Sequence, residues 1–125
     1  MSNFAERSPW RKLLPAFLKP GEHGETVKIW SKKFRKAEKL AAAKSISELE
    51  PVLLDLVAWL GDESVVKMAR AEWWNQTGLL AQAYSGNFTL AEKCFRYALD
   101  AAGRGDDRHG KLLAMTNLGV LFLDQ

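Results

Sequence analysis

Residues 71–99 read AEWWNQTGLLAQAYSGNFTLAEKCFRYAL, and the reading of this stretch decides the fold. Trp74 is followed four residues later by Gly78, a break comes at Gly86-Asn87-Phe88, and Ala91, Phe95 and Ala98-Leu99 then recur at spacings of three and four. Those spacings place side chains on one stripe of a helix. A residue as small as Gly78 lets a paired helix approach closely, Gly86 suits a tight turn, and Ala91 and Ala98 keep the second helix pressed on the first. The stretch therefore predicts two antiparallel helices. The first runs over 62–85, its start favoured by the acidic groups of Asp62-Glu63-Ser64 at the positive end of the helix dipole, and the second over 88–102, stopping at Gly103.

Outward from this pair the same periodicity continues. Toward the N-terminus, Val27, Trp30, Phe34, Ala37 and Ala41 line one stripe of a helix over 25–44, with Lys28, Lys32, Lys33, Arg35, Lys36 and Lys39 over much of the remainder. Ser47 with Glu50 has the form of a capping box, and the apolar run 52–60 ends at Gly61. Pro51 fits a helix only in its first turn, so the start is expected a residue or two beyond the box. Trp10, Leu13, Leu14, Phe17 and Leu18 would line a short helix within 8–19, and Pro20-Gly21-Glu22-His23-Gly24 forms a loop. Toward the C-terminus a polar loop, 104–108, leads to a last helix over 109–125. Alternating strand patterns are absent, so the class is all-α: an N-terminal arm over 1–24 and a helical domain over 25–125.

The quoted stretch resembles a tetratricopeptide repeat, two antiparallel helices with tryptophan, glycine, aromatic and alanine at set places. On that resemblance Trp74, Gly78, Gly86, Phe88, Ala91, Phe95 and Ala98 are the motif residues of one unit, and Leu118, Gly119 and Phe122 begin a second. Gly78 and Gly119 stand 41 positions apart, more than the usual period of about 34, and closer to the longer-loop repeats of kinesin light chains. Asp107-Arg108-His109 occupies the matching acidic-histidine loop. Thr77 stands where the family prefers leucine, Ala81 where it prefers tyrosine, and Gly110 where proline often follows the histidine; one extra residue separates Gly78 from Gly86. The resemblance implies a short right-handed stack of helix pairs: a degenerate or capping pair over 25–61, a full unit over 62–103, and the first helix of another over 109–125. The array reads as truncated there, the alternatives being a last helix that acts as a cap or self-association through its uncovered face.

Composition fits one soluble domain. Residues 1–44 hold eleven basic against four acidic side chains, and the remainder seven against eleven, so the two halves face different partners or partly face each other. No apolar run is long enough to cross a membrane and no signal peptide is recognisable, so a cytoplasmic location is expected. Cys94 lies beside Phe95 on an apolar face and reads as an inert buried thiol. His23 and His109 belong to no metal-ligand spacing, and no phosphate loop, nucleophile elbow or paired carboxylate in a cleft is present, so neither metal, cofactor nor catalytic residue is assigned. Arg104-Gly105-Asp106 matches an integrin-binding tripeptide, but nothing indicates secretion. Adjacent residues on a helix diverge by ~100°, so Trp73 and Trp74 divide between the core and a partly exposed or seam position.

The function expected from the resemblance is binding of a partner protein's peptide or helix, without catalysis. The inner surface, transferred by position, comprises Asn75, Leu79 and Gln82 from one unit and Thr116, Asn117, Val120 and Leu123 from the next. Apolar Leu79 and Val120 do not suit a carboxylate clamp, so an apolar or helical ligand is favoured over a charged peptide terminus. The competing structural role is that Leu79, Val120 and Leu123 pack against the N-terminal helices. A second reading docks the basic helix 25–44 on an anionic membrane or nucleic acid, weighed against an ordinary solvated face, and a third takes the chain as the N-terminal piece of a larger repeat-containing regulator.

Overall fold

The computed structural model describes residues 24–124, and every regular element among them is helical. The expected short helix over 8–19, the loop before Gly24 and Gln125 lie outside the described residues. Six helices follow in order: α1 (Glu25–Ala42), α2 (Ile46–Leu60), α3 (Glu63–Val66), α4 (Ala71–Leu80), α5 (Phe88–Arg104) and α6 (Arg108–Asp124), with a π turn over Ala81–Ser85 extending α4.

The apolar stripes do what their spacing dictates. Trp30, Ala37 and Ala41 of α1 are buried, as are Leu49, Leu53, Leu56, Val57 and Leu60 of α2 and Leu90, Ala91, Cys94, Phe95, Ala98, Ala101 and Ala102 of α5. All contribute to one continuous core. Thr26 donates to the Met68 sulfur at 3.7 Å, Trp30 stacks on Trp73 at 5.1 Å, and Ala41 and Ala42 share a groove with Leu80 and Tyr84, so α1 and α4 run side by side in one direction. Against α4, α5 runs the opposite way: Trp74 stacks on Tyr97 and Arg104 donates to the Val66 carbonyl. α6 is again parallel to α4, joined to it by Asn75 with Asn117 and by Gln82 with Asp124.

Three sequence expectations are corrected. The helix expected over 62–85 is two: Asp62 caps only the four-residue α3, accepting from the Ser64 amide at 3.1 Å and from the Ser64 hydroxyl, and the chain extends at Arg70 before α4 begins. Those hydrogen bonds, the hydroxyl's foremost, hold the Asp62 carboxyl below its ordinary pKa. Next, α2 starts at Ile46, before the Ser47–Glu50 box, and contains Pro51. Glu50 does not reach back to Ser47; its carboxylate accepts from Asn87 Nδ2 at 2.6 Å, a tie between α2 and the start of α5. Third, α5 runs through Gly103, and the left-handed residue that ends it is Asp106 (φ 52°). α1 likewise ends on left-handed Lys44 (φ 58°), with Ser45 N–H donating to the Leu40 carbonyl at 3.0 Å, the hydrogen bond of a Schellman stop made without glycine. Of the positions expected for the two tryptophans, the partly exposed one is not taken, and both are buried at interhelix seams. Being ~100° apart they serve different seams, Trp73 toward α1 and α2 through Trp30 and Trp59, Trp74 toward α5.

Gly86 does make the turn between α4 and α5, at φ 66°. The extra residue counted between Gly78 and Gly86 is absorbed just upstream by the π turn Ala81–Ser85, whose i→i+5 ring holds one residue more than an α-turn.

Candidate partner-binding surface

α4 is enclosed on three sides, each through different side chains. Trp73 meets α1 and α2. Trp74, Gly78 and Ala81 lie under α5, where a Cβ on Gly78 would stand 2.5 Å from Phe95 Cε1. Only a glycine admits the Phe95 ring at that depth, which explains the small residue at this place in the sequence. Asn75 faces α6. It donates through Nδ2 to the Gly110 carbonyl at 3.4 Å and accepts at Oδ1 from Asn117 Nδ2 at 3.1 Å. Gly110 is equally constrained: an added Cβ would meet the Asp107 carboxylate and stand 2.9 Å from Ala71 Cβ, leaving no room for a proline ring. Asp107 Oδ1 accepts from the Gly110 amide at 2.8 Å and so caps α6.

Thr77, the polar substitute for leucine, is fully buried and turns its hydroxyl to the Trp73 carbonyl at 2.8 Å. That local hydrogen bond removes the cost of burying it.

The residues expected to face a partner separate into two groups. Asn75 and Asn117 are buried and bonded to each other, so they lie in the α4–α6 seam and not on the surface. Gln82 is half-buried and donates to Asp124 Oδ2 at 2.7 Å. Leu79, Thr116, Val120 and Leu123 are exposed, Leu123 at 86%. Thr116 donates its hydroxyl to the Leu112 carbonyl. Of the motif residues, Trp74, Gly78, Ala91, Phe95, Ala98 and Leu118 are buried and Phe88 is half-buried, whereas Gly119 and Phe122 are exposed.

A shift of 41 positions explains the division. It carries Trp74 to Met115, Asn75 to Thr116, Gly78 to Gly119, Ala81 to Phe122 and Gln82 to Leu123. In α4 these side chains are covered by α5 or joined to α6. In α6 the same places are open: Met115 is 54% and Phe122 52% exposed, and a Cβ on Gly119 would meet nothing within 4 Å. Leu80 and Leu121, which the shift also equates, are both buried. With Leu112 and Val120, also exposed, the open face of α6 is largely apolar, interrupted by Thr116. Met115 and Leu112 were not singled out from the sequence, although the shift that equates Gly78 with Gly119 also equates Trp74 with Met115.

A second surface lies on α1. Lys28, Lys32, Arg35, Lys36 and Lys39 rim a groove with Val27, Ser31 and Leu40, and among the described residues none of these five cations makes an ion pair. Lys33, on the flank, pairs with Asp55 at 3.3 Å and lies over the Trp59 ring. Cys94 is buried and its thiol is pushed up to about 12, mainly by desolvation. Among the described residues no three His, Cys, Asp or Glu side chains gather as metal ligands, and no helix is long and apolar enough to cross a membrane. Comparison of the chain with family models, with curated proteins and with solved structures gave no match.

Proposed function

We propose that this chain is a protein-interaction module, a short tetratricopeptide-like stack of helix pairs that binds a helix or peptide of another protein without turnover. The observation that carries the reading is the apolar strip of Leu112, Met115, Gly119, Val120, Phe122 and Leu123 on α6, in which Met115, Gly119, Phe122 and Leu123 match positions that are covered or joined in α4. An apolar strip of this extent marks a surface that takes a partner. The parallel course of α1, α4 and α6, with α5 antiparallel between α4 and α6, supports the stacked-pair architecture, as does the glycine notch at Gly78.

Sedimentation of the native protein and of Phe122→Glu tests the reading. Native protein that associates with itself or takes up an apolar helical peptide, paired with a folded Phe122→Glu variant that does neither, supports it. Native protein that remains monomeric and inert toward every helical peptide offered sinks it.

The basic groove of α1 favours a second reading, docking on a polyanion. Its like-charged pairs at i,i+4 oppose helix formation, and a bound polyanion relieves them. Binding of this kind weakens steeply as salt rises, whereas binding to the α6 strip changes little, so titration with anionic vesicles or an oligonucleotide at two salt concentrations separates the readings.

A further inference from the structure

From the equivalence of the two faces we infer that α6 docks an amphipathic helix of a partner protein, antiparallel to α6, with an aromatic side chain seated over Gly119 and a small residue over Phe122. The inference rests on the protein-interaction reading and adds the shape and polarity of the ligand.

The geometry of α4 with α5 supplies the template. The Phe95 ring occupies the notch at Gly78, and Ala91, one helical turn earlier in antiparallel α5 and fully buried, lies further toward the C-terminal end of α4. Transferred by the same shift, the notch becomes Gly119, where a Cβ would meet nothing within 4 Å. The small position Ala81 becomes Phe122, so bulk moves from one side of the contact to the other and the ligand must be small there. Met115 takes the place of Trp74.

Two further features favour this occupant. The open face is continuous with an existing interface, because Ala114, Leu118 and Leu121, each one position before Met115, Gly119 and Phe122, are already buried in the packing of α6 with α4 and α5. A docked helix would widen that contact. An antiparallel helix would also bring its C-terminal end to Arg108 and Lys111, both exposed at the start of α6, and cations there complement the negative end of its dipole. Docked in the same orientation, the α1 helix of a second copy complements the face poorly, since Lys36 and Lys39 in its C-terminal half would approach those same cations.

The probe is a peptide of residues 87–105, α5's own sequence with Arg96→Lys, held helical by a lactam between Glu92 and that lysine and titrated into the full-length protein. Three forms of the protein are compared: native, Gly119→Leu and Phe122→Glu. The side chain added in Gly119→Leu points into open space, so the variant keeps its fold while filling the notch. Saturable binding to the native protein is expected, falling about tenfold or more with Gly119→Leu and also when Phe95 of the peptide is replaced by alanine. Melting curves of both protein variants check that they remain folded. Equal binding by native and Gly119→Leu protein overturns the notch while leaving an apolar binding strip in place, and no binding to native protein overturns the docked helix altogether. A native dimer that Gly119→Leu dissociates assigns the face to a second copy and overturns the separate partner.

Discussion

Asn117 Nδ2 donates to Asn75 Oδ1 at 3.1 Å inside the seam between two parallel helices, and both side chains are buried. The remaining donor of Asn75 goes to the Gly110 carbonyl, so three groups from two helices depend on one another there. Asn75→Ala should cost about 1–3 kcal/mol, because it leaves the buried Asn117 amide without its acceptor. Replacing both asparagines by leucine should recover part of that loss, and a double-mutant cycle from urea unfolding measures the coupling.

Gly78 and Gly119 hold equivalent places in two helices but meet opposite surroundings. Gly78→Ala drives a methyl group into the Phe95 ring and should destabilise by about 1–3 kcal/mol. Gly119→Ala meets no atom and should stabilise by about 1 kcal/mol through helix propensity. Chemical denaturation of the two variants reads the opposite signs directly, and a shared sign would contradict the equivalence drawn between the faces.

Lys44 ends α1 in the left-handed region without being glycine. Lys44→Gly removes a steric penalty of about 1 kcal/mol, and the melting temperature should rise. Asp106→Gly at the end of α5 should give less, since Asp tolerates that conformation better.

Cys94 is buried, with its thiol pushed up to about 12. A folded-state value above the unfolded one means that the neutral thiol is favoured on folding. Its contribution is therefore complete below the unfolded value of about 8.5 and is lost progressively as pH rises from there toward 12. Cys94→Ala should flatten that alkaline loss relative to the native chain. At pH 8 a thiol reagent should modify the native protein only as fast as it opens, with rapid reaction in denaturant.

The readily legible features were local ones. The stripes of α1, α2 and α5, the turn at Gly86 and the starts of α5 and α6 follow from periodicity and from short polar residues at helix ends. The misreadings share a cause: each depended on a partner distant in sequence or on a choice among near-equal local options. Asp62 signals a helix start, but nothing local says that the helix lasts one turn. Glu50 has a reciprocal partner three residues away on paper, yet Asn87 takes it. Gly103 looks like a stop, but the chain turns left-handed three residues later, at Asp106. For the candidate surface, the repeat pattern placed Leu79, Val120 and Leu123 outward, and all three are exposed. Asn75 and Asn117 were placed on the same surface because the pattern gives position without depth, and depth is set by how closely α4 and α6 approach.

The π turn over Ala81–Ser85 sets a rotational phase. One residue more or less in an α-helix turns everything downstream by about 100° around the axis. Removing Ala83 would leave Trp73, Trp74 and Gly78 where they are on α4, but would swing Gly86 and Asn87 around the cylinder, carrying Asn87 away from Glu50 and Phe95 away from the notch at Gly78. That one wide ring therefore determines the azimuth at which the chain reverses, and with it where the second layer of helices lands on the first.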